Sequence, residues 1–76
     1  MVRAYIMVTA HTGEADRLRD AIAAIEGVER AHIVAGDVDI IAVADVETPA
    51  GVKDIAASEI QSIDGVGTTQ TYIAMD

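Results

Sequence analysis

The 76 residues carry 13 acidic and five basic side chains, a formal net charge of −8, 51% hydrophobic residues and no cysteine. Disulfide scaffolds and thiolate metal sites are thereby excluded. Direct nucleic-acid binding is not expected either, because Arg3, Arg17, Arg19, Arg30 and Lys53 are scattered among carboxylates and form no positive footprint for a phosphate backbone.

One domain, residues 1–76, is the most that this length allows, and a core so small needs reinforcement. With disulfides gone, oligomerisation is the expected aid. No apolar run approaches the ~20 residues that cross a bilayer, and no basic, apolar leader opens the chain, so a cytoplasmic location without membrane contact is expected. A lysine-poor acidic surface looks like the cytoplasmic proteins of salt-loving microbes, where cations screen self-repulsion, and suggests a halophilic archaeal source.

In chain order, Val2, Ala4, Ile6 and Val8 alternate with Arg3, Tyr5, Met7 and Thr9, the period-two pattern of a strand. Thr12 and Gly13 are placed to cap a helix in which Leu18, Ile22 and Ile25 share one face and Gly27 ends the run. Val28 to Ala35 read as a second strand, followed by the turn Gly36-Asp37-Val38-Asp39. Ile40 to Val46 form a third strand. Thr48 is the expected N-cap and Pro49 the first residue of a second helix reaching about Ile63, with Ala56, Ile60 and Ile63 inward. Gly65 closes it, and Val66 to Met75 supply the last strand.

The two halves repeat. Laid over one another without gaps at a spacing of 38 residues, they pair Val8 with Val46, Gly13 with Gly51, Asp16 with Asp54, Ile22 with Ile60, Ile25 with Ile63, Gly27 with Gly65 and Val28 with Val66. The order βαββαβ, with right-handed crossovers, predicts an α+β fold of ferredoxin-like type: a four-stranded antiparallel sheet with two helices on one face. Parity then puts Tyr5, Met7, His32, Val34, Ile41, Val43, Gln70 and Tyr72 on the open face. An apolar patch of that kind marks an interaction surface, and a homodimer closed sheet to sheet is the simplest way to cover it.

The residues resemble the effector-binding (RAM) domain of the Lrp/AsnC transcription regulators over nearly the whole chain. The likeness rests on Val2 to Val8, on Ile25-Glu26-Gly27-Val28 leading to Ala31-His32-Ile33-Val34-Ala35-Gly36-Asp37-Val38-Asp39, and on Ile63-Asp64-Gly65-Val66 leading to Thr69-Gln70-Thr71. No helix-turn-helix accompanies it, so a stand-alone effector domain is expected. The resemblance implies dimers formed sheet to sheet, assembled into rings such as octamers, with an amino acid bound between dimers and full-length Lrp/AsnC regulators as partners. It assigns effector binding to Gly36, Asp37, Asp39, Thr69 and Thr71. A carboxylate suits an α-ammonium group, and threonine hydroxyls and the amides near Gly36 suit an α-carboxylate. Ala35 and Val38 depart from the hydroxyl and aromatic residues usual in the family.

Two other readings share the fold. A small dimeric oxygenase or isomerase would use His32 or Asp45, but the chain has no nucleophile, phosphate loop or metal-ligand pair at a motif spacing, so no catalytic residue, metal or cofactor is assigned. An ACT-like regulatory domain would place its ligand by His11, Thr12 and Gly13. The remaining carboxylates, Glu47 and Asp64 among them, read as a solvated surface.

Overall fold

The computed structural model describes residues 1–76 as β1 (Val2–Ala10), α1 (Ala15–Ala23), β2 (Val28–Ile33), β3 (Ile40–Val46), α2 (Pro49–Lys53) with a π-helical continuation (Asp54–Ile60), and β4 (Val66–Ile73). The sheet is antiparallel in the order β2-β3-β1-β4, the expected ferredoxin-like arrangement. Alternation along β1 buries Ala4, Ile6 and Val8 completely, together with Ile40, Ala42 and Ala44 of β3. These pack against Leu18 and Ile22 of α1 and against Ile55, Ala56 and Ile60 of the π-helical segment, so both helices cover the same face. No helix is long and apolar enough to cross a membrane.

Several boundaries differ from the sequence reading. Thr12 and Gly13 do not cap α1. They lie in a turn made by Gly13 at φ 81°, and the N-cap position falls to Glu14, whose side chain makes no capping bond. Thr48 does cap α2, its side-chain oxygen accepting from the Gly51 amide at 3.3 Å, with Pro49 next in line. β2 stops at Ile33 rather than Ala35, because only the Val34 amide still reaches the hairpin, donating to the Asp39 carbonyl at 2.9 Å. β4 stops at Ile73 rather than Met75: one more amide, Ala74, donates to the Arg3 carbonyl at 2.9 Å, and no later amide bonds to β1. The second helix ends at Ile60 rather than Ile63, and its latter part is π-helical, a wider winding found mostly where a helix accommodates an irregularity.

The repeat is real, but its register is not uniform. The His11 amide donates to the Gly65 carbonyl, and the Asp45 amide to the Gly27 carbonyl, each at 2.9 Å. These are the same bond in the two halves: Gly27 and Gly65 are 38 apart, whereas His11 and Asp45 are 34 apart. The N-cap residues Glu14 and Thr48 are also 34 apart. The first strand and helix start of each unit therefore align at 34, and the helix end and second strand at 38. The difference of four residues, about one helical turn, is absorbed inside the second helix, where the π-helical segment lies. The gapless pairs Val8 with Val46, Gly13 with Gly51 and Asp16 with Asp54 are four residues out of structural register, while Ile22 with Ile60 and Gly27 with Gly65 are equivalent.

Candidate functional site

Cross-strand partners share a face, so Met7 with Ile41 and Gln70, Tyr5 with Val43 and Tyr72, and His32 with Ile41 all project from the helix-free side. The order of strands sets these residues side by side, and parity along β2 adds Val34. Tyr5, Met7, Val34 and Ile41 are half-buried, His32 is exposed and Tyr72 is 55% exposed. Val43 differs: at 4% exposure between its neighbours it is already buried, and it has little surface left to offer a partner.

One end of this face is ionic. Arg3 donates to Asp45 from Nε and Nη2, each at 2.9 Å, and reaches Glu29 at 3.2 Å, and Glu29 also pairs with Arg30 at 3.1 Å. Hydrogen bonding from Arg3 holds the Asp45 carboxyl down to about 2, and the same bonds raise the Arg3 guanidinium above its usual range. Asp45 is thus an ion-pair member with both oxygens engaged.

The five residues assigned to effector binding fall into two groups. Gly36 and Asp37 are exposed at the tip of the β2–β3 hairpin. Asp39 is tied down at the base: its Oδ2 accepts from the Ala10 amide at 2.7 Å and its amide donates to the Val8 carbonyl at 3.0 Å, which locks the hairpin to the end of β1. That bonding is structural and was not legible in the sequence. Thr69 and Thr71 lie on edge strand β4, opposite Val8 and Ile6, and so face the helical side. β1 stands between the two groups, two inter-strand spacings or roughly 10 Å across. One chain does not bring them into a common pocket.

Thr69 and Thr71 do line a cavity of about 420 Å³ between α2, its π-helical continuation and β4, with Pro49, Val52, Lys53, Ala56, Ala57, Gln61 and Ile73. That volume suits a small ligand. Gln61 Nε2 donates to Thr69 Oγ1 at 2.9 Å across one end. Pro49, Lys53 and Gln61 were missed by sequence reasoning. The signal available was small residues, Ala56 and Ala57, where the first unit has Leu18 and Arg19. His11, Thr12 and Gly13, the alternative ligand site, are exposed in the β1–α1 turn, apart from this cavity.

No curated protein sequence matches the chain. Among solved structures, TTHA0845 of Thermus thermophilus is similar with a TM-score of 0.96 and 25% identity, covering 100% of this chain and 95% of that one. AsnC of E. coli has a TM-score of 0.90 at 17% identity, covering 99% of this chain and 51% of its own. The transcriptional regulator NMB0573 of Neisseria meningitidis, solved as an L-Met complex, has a TM-score of 0.84 at 16% identity over 99% of this chain and 50% of that one. At those last identities the likeness establishes the fold. Family membership comes from the sequence itself, which matches the Lrp/AsnC ligand binding domain from residue 3 to residue 76, so the chain belongs to the Lrp/AsnC ligand binding domain family.

Proposed function

We propose that this domain senses an amino acid bound between neighbouring dimers and passes the signal to transcription through Lrp/AsnC regulator partners. The observation that carries the reading is the division of the candidate site. Thr69 and Thr71 border a ligand-sized cavity at one sheet edge, whereas Gly36 and Asp37 stand exposed on a hairpin beyond β1. A site split in this way is completed when the hairpin of one copy meets the cavity of another. Asp37 then faces an α-ammonium group, and the threonine hydroxyls face the α-carboxylate. The dimers themselves close through the open face around Tyr5, Met7, Ile41 and Tyr72. The L-Met complex of the Neisseria regulator supports the ligand class. With a net charge of −8 and all four arginines held by carboxylates, this domain offers DNA no positive surface, which makes a regulator partner the route to transcription.

A thermal-shift series over the free amino acids tests this. A ligand at a hundredfold excess over its Kd stabilises by about 2.7 kcal/mol, a shift of roughly 10–20 °C in a domain of this size. At least one amino acid is expected to raise the midpoint and, in light scattering, to change the assembled mass. A flat response to every amino acid would overturn the sensing role.

A further inference from the structure

Of the five basic side chains, the four arginines each contact a carboxylate within 3.3 Å, and Lys53 alone has none in ion-pair reach. Its place is unusual, because it borders the α2–β4 cavity. In the 34-residue register of the helix start its counterpart is Arg19, which has the same acidic neighbour: Arg19-Asp20 corresponds to Lys53-Asp54, whereas the 38-residue register of the helix end sets Ala57 in that place. Arg19 bonds to Asp20 at 2.9 Å and donates to the Ala31 carbonyl of β2 at 3.0 Å, closing the gap between α1 and its strand. Lys53 makes neither bond. The cavity stands open between its helix and the matching strand, and Thr69 occupies the position of Ala31.

From this geometry we infer that Lys53 is the carboxylate anchor of the cavity, whose ligands are small monocarboxylates with a short apolar tail. The inference rests on the cavity being the effector site. The walls supply the tail's environment in Pro49, Val52, Ala56 and Ile73, and the hydroxyls of Thr69 and Thr71 supply hydrogen bonds in the same lining as Lys53. No carboxylate lines the cavity. In a chain of net charge −8 an unpaired cation over an apolar cleft is a local attractor for an anion. For an amino group the cavity offers only neutral acceptors, hydroxyl and amide oxygens, and no carboxylate, so a branched 2-oxo acid enters it as readily as the corresponding amino acid. The ammonium of the latter is read outside the cavity, by the hairpin of a neighbouring copy.

The test is an NMR titration of the full chain, following the Gln61, Thr69 and Thr71 signals, with 4-methyl-2-oxopentanoate, L-leucine and isopentylamine. Wild type is expected to bind the two acids and not the amine. Lys53→Met should weaken both acids by about tenfold or more, the scale of one lost charge-assisted hydrogen bond. Lys53→Arg should stay within about threefold of wild type. Because Lys53 is exposed, neither substitution removes core packing. If Lys53→Met binds the acids as wild type does, with the same threonine shifts, the anchor role is wrong and the cavity remains the effector site. Binding of the amine as tightly as the acids also overturns the anchor role. If neither acid moves the cavity signals, both the anchor role and the effector-site reading fall.

Discussion

Alanine in place of Gly27 or of Gly65 asks two equivalent positions of the repeat to bear the same backbone strain in different surroundings. Both glycines sit just after a helix with positive φ, 97° and 102°. A side chain in that left-handed region costs about 1–2 kcal/mol. The neighbours then separate the two. A Cβ on Gly27 would stand 2.8 Å from Ile55 Cδ1 and 3.1 Å from Val46 Cγ1, and Ile55 is itself packed in the core at 3% exposure. Forcing it aside adds overpacking of about 1–3 kcal/mol. A Cβ on Gly65 would meet Arg17 Nη2 at 2.7 Å, the tip of a surface side chain that can swing away with the loss of one exposed bond, 2.7 Å long, to the Asp64 carbonyl. That bond contributes at most about 1 kcal/mol. Gly27→Ala should therefore lose about 2–5 kcal/mol and Gly65→Ala about 1–3. Against a total of about 4–11 kcal/mol for a domain of this length, the first is severe and the second tolerable. Urea unfolding at one fixed protein concentration measures both, with the slope expected to be unchanged. Gly65→Ala as damaging as Gly27→Ala would refute the reasoning, since backbone strain alone would then account for the positions.

The Arg3–Asp45 pair gives the domain an acid-side dependence. Its carboxyl is held from 3.8 down to about 2 in the folded chain, so its contribution is complete above pH 3.8 and is lost as pH falls toward 2. Asp45→Asn should flatten the stability curve in that window, and parallel urea midpoints for variant and wild type from pH 4 to pH 2 would remove the pair's role. On the open face, Met7→Asp sets a charge between Ile41 and Gln70 and is expected to reduce the assembly to monomers in light scattering, with the circular dichroism unchanged; an assembly of wild-type mass would exclude this face as the dimer contact. The wild-type assembly should also loosen in dilute buffer, where the −8 charges on each subunit repel unscreened, and a mass unchanged from dilute buffer to molar salt would contradict that.

The fold was legible because its signals are periodic. Alternation in Val2 to Val8 and the spacing of Leu18, Ile22 and Ile25 depend on the geometry of one strand or one helix, and Gly27 and Gly65 mark their ends without reference to anything distant. Thr48 and Pro49 were legible for the same reason. The start of α1 was misplaced because Thr12 carries a capping side chain, yet Gly13 at φ 81° turns the backbone away before the helix begins. The bond from the Ala10 amide to Asp39 is not legible, because it spans 29 residues and sequence offers no clue to a partner so distant. The cavity escaped notice for a related reason. Small residues at Ala56 and Ala57 look like ordinary helix formers until β4 is seen opposite them.

The change of register within the repeat connects these observations. In the first unit, Leu18 is fully buried and Arg19 bridges to Ala31, so α1 lies close over β2 and leaves no space. The second unit holds four more residues between the equivalent N-cap and closing glycine, and it takes them up in a helix that becomes π-helical. Leu18 then has two counterparts, Val52 at a spacing of 34 and Ala56 at 38, and Lys53, in the turn between them, lines the cavity without the bond to the strand that Arg19 makes. The smaller side chain faces Thr69 where a leucine would have filled the gap. The same duplicated unit thus yields one closed helix–strand contact, which supports the core, and one open contact bearing an unpaired cation. The extra turn is the physical difference between them. Removing it by deleting one turn from the π-helical segment would be expected to close the cavity and abolish ligand-induced shifts at Thr69 and Thr71, while Ile60 and Gly65 keep their places in the fold.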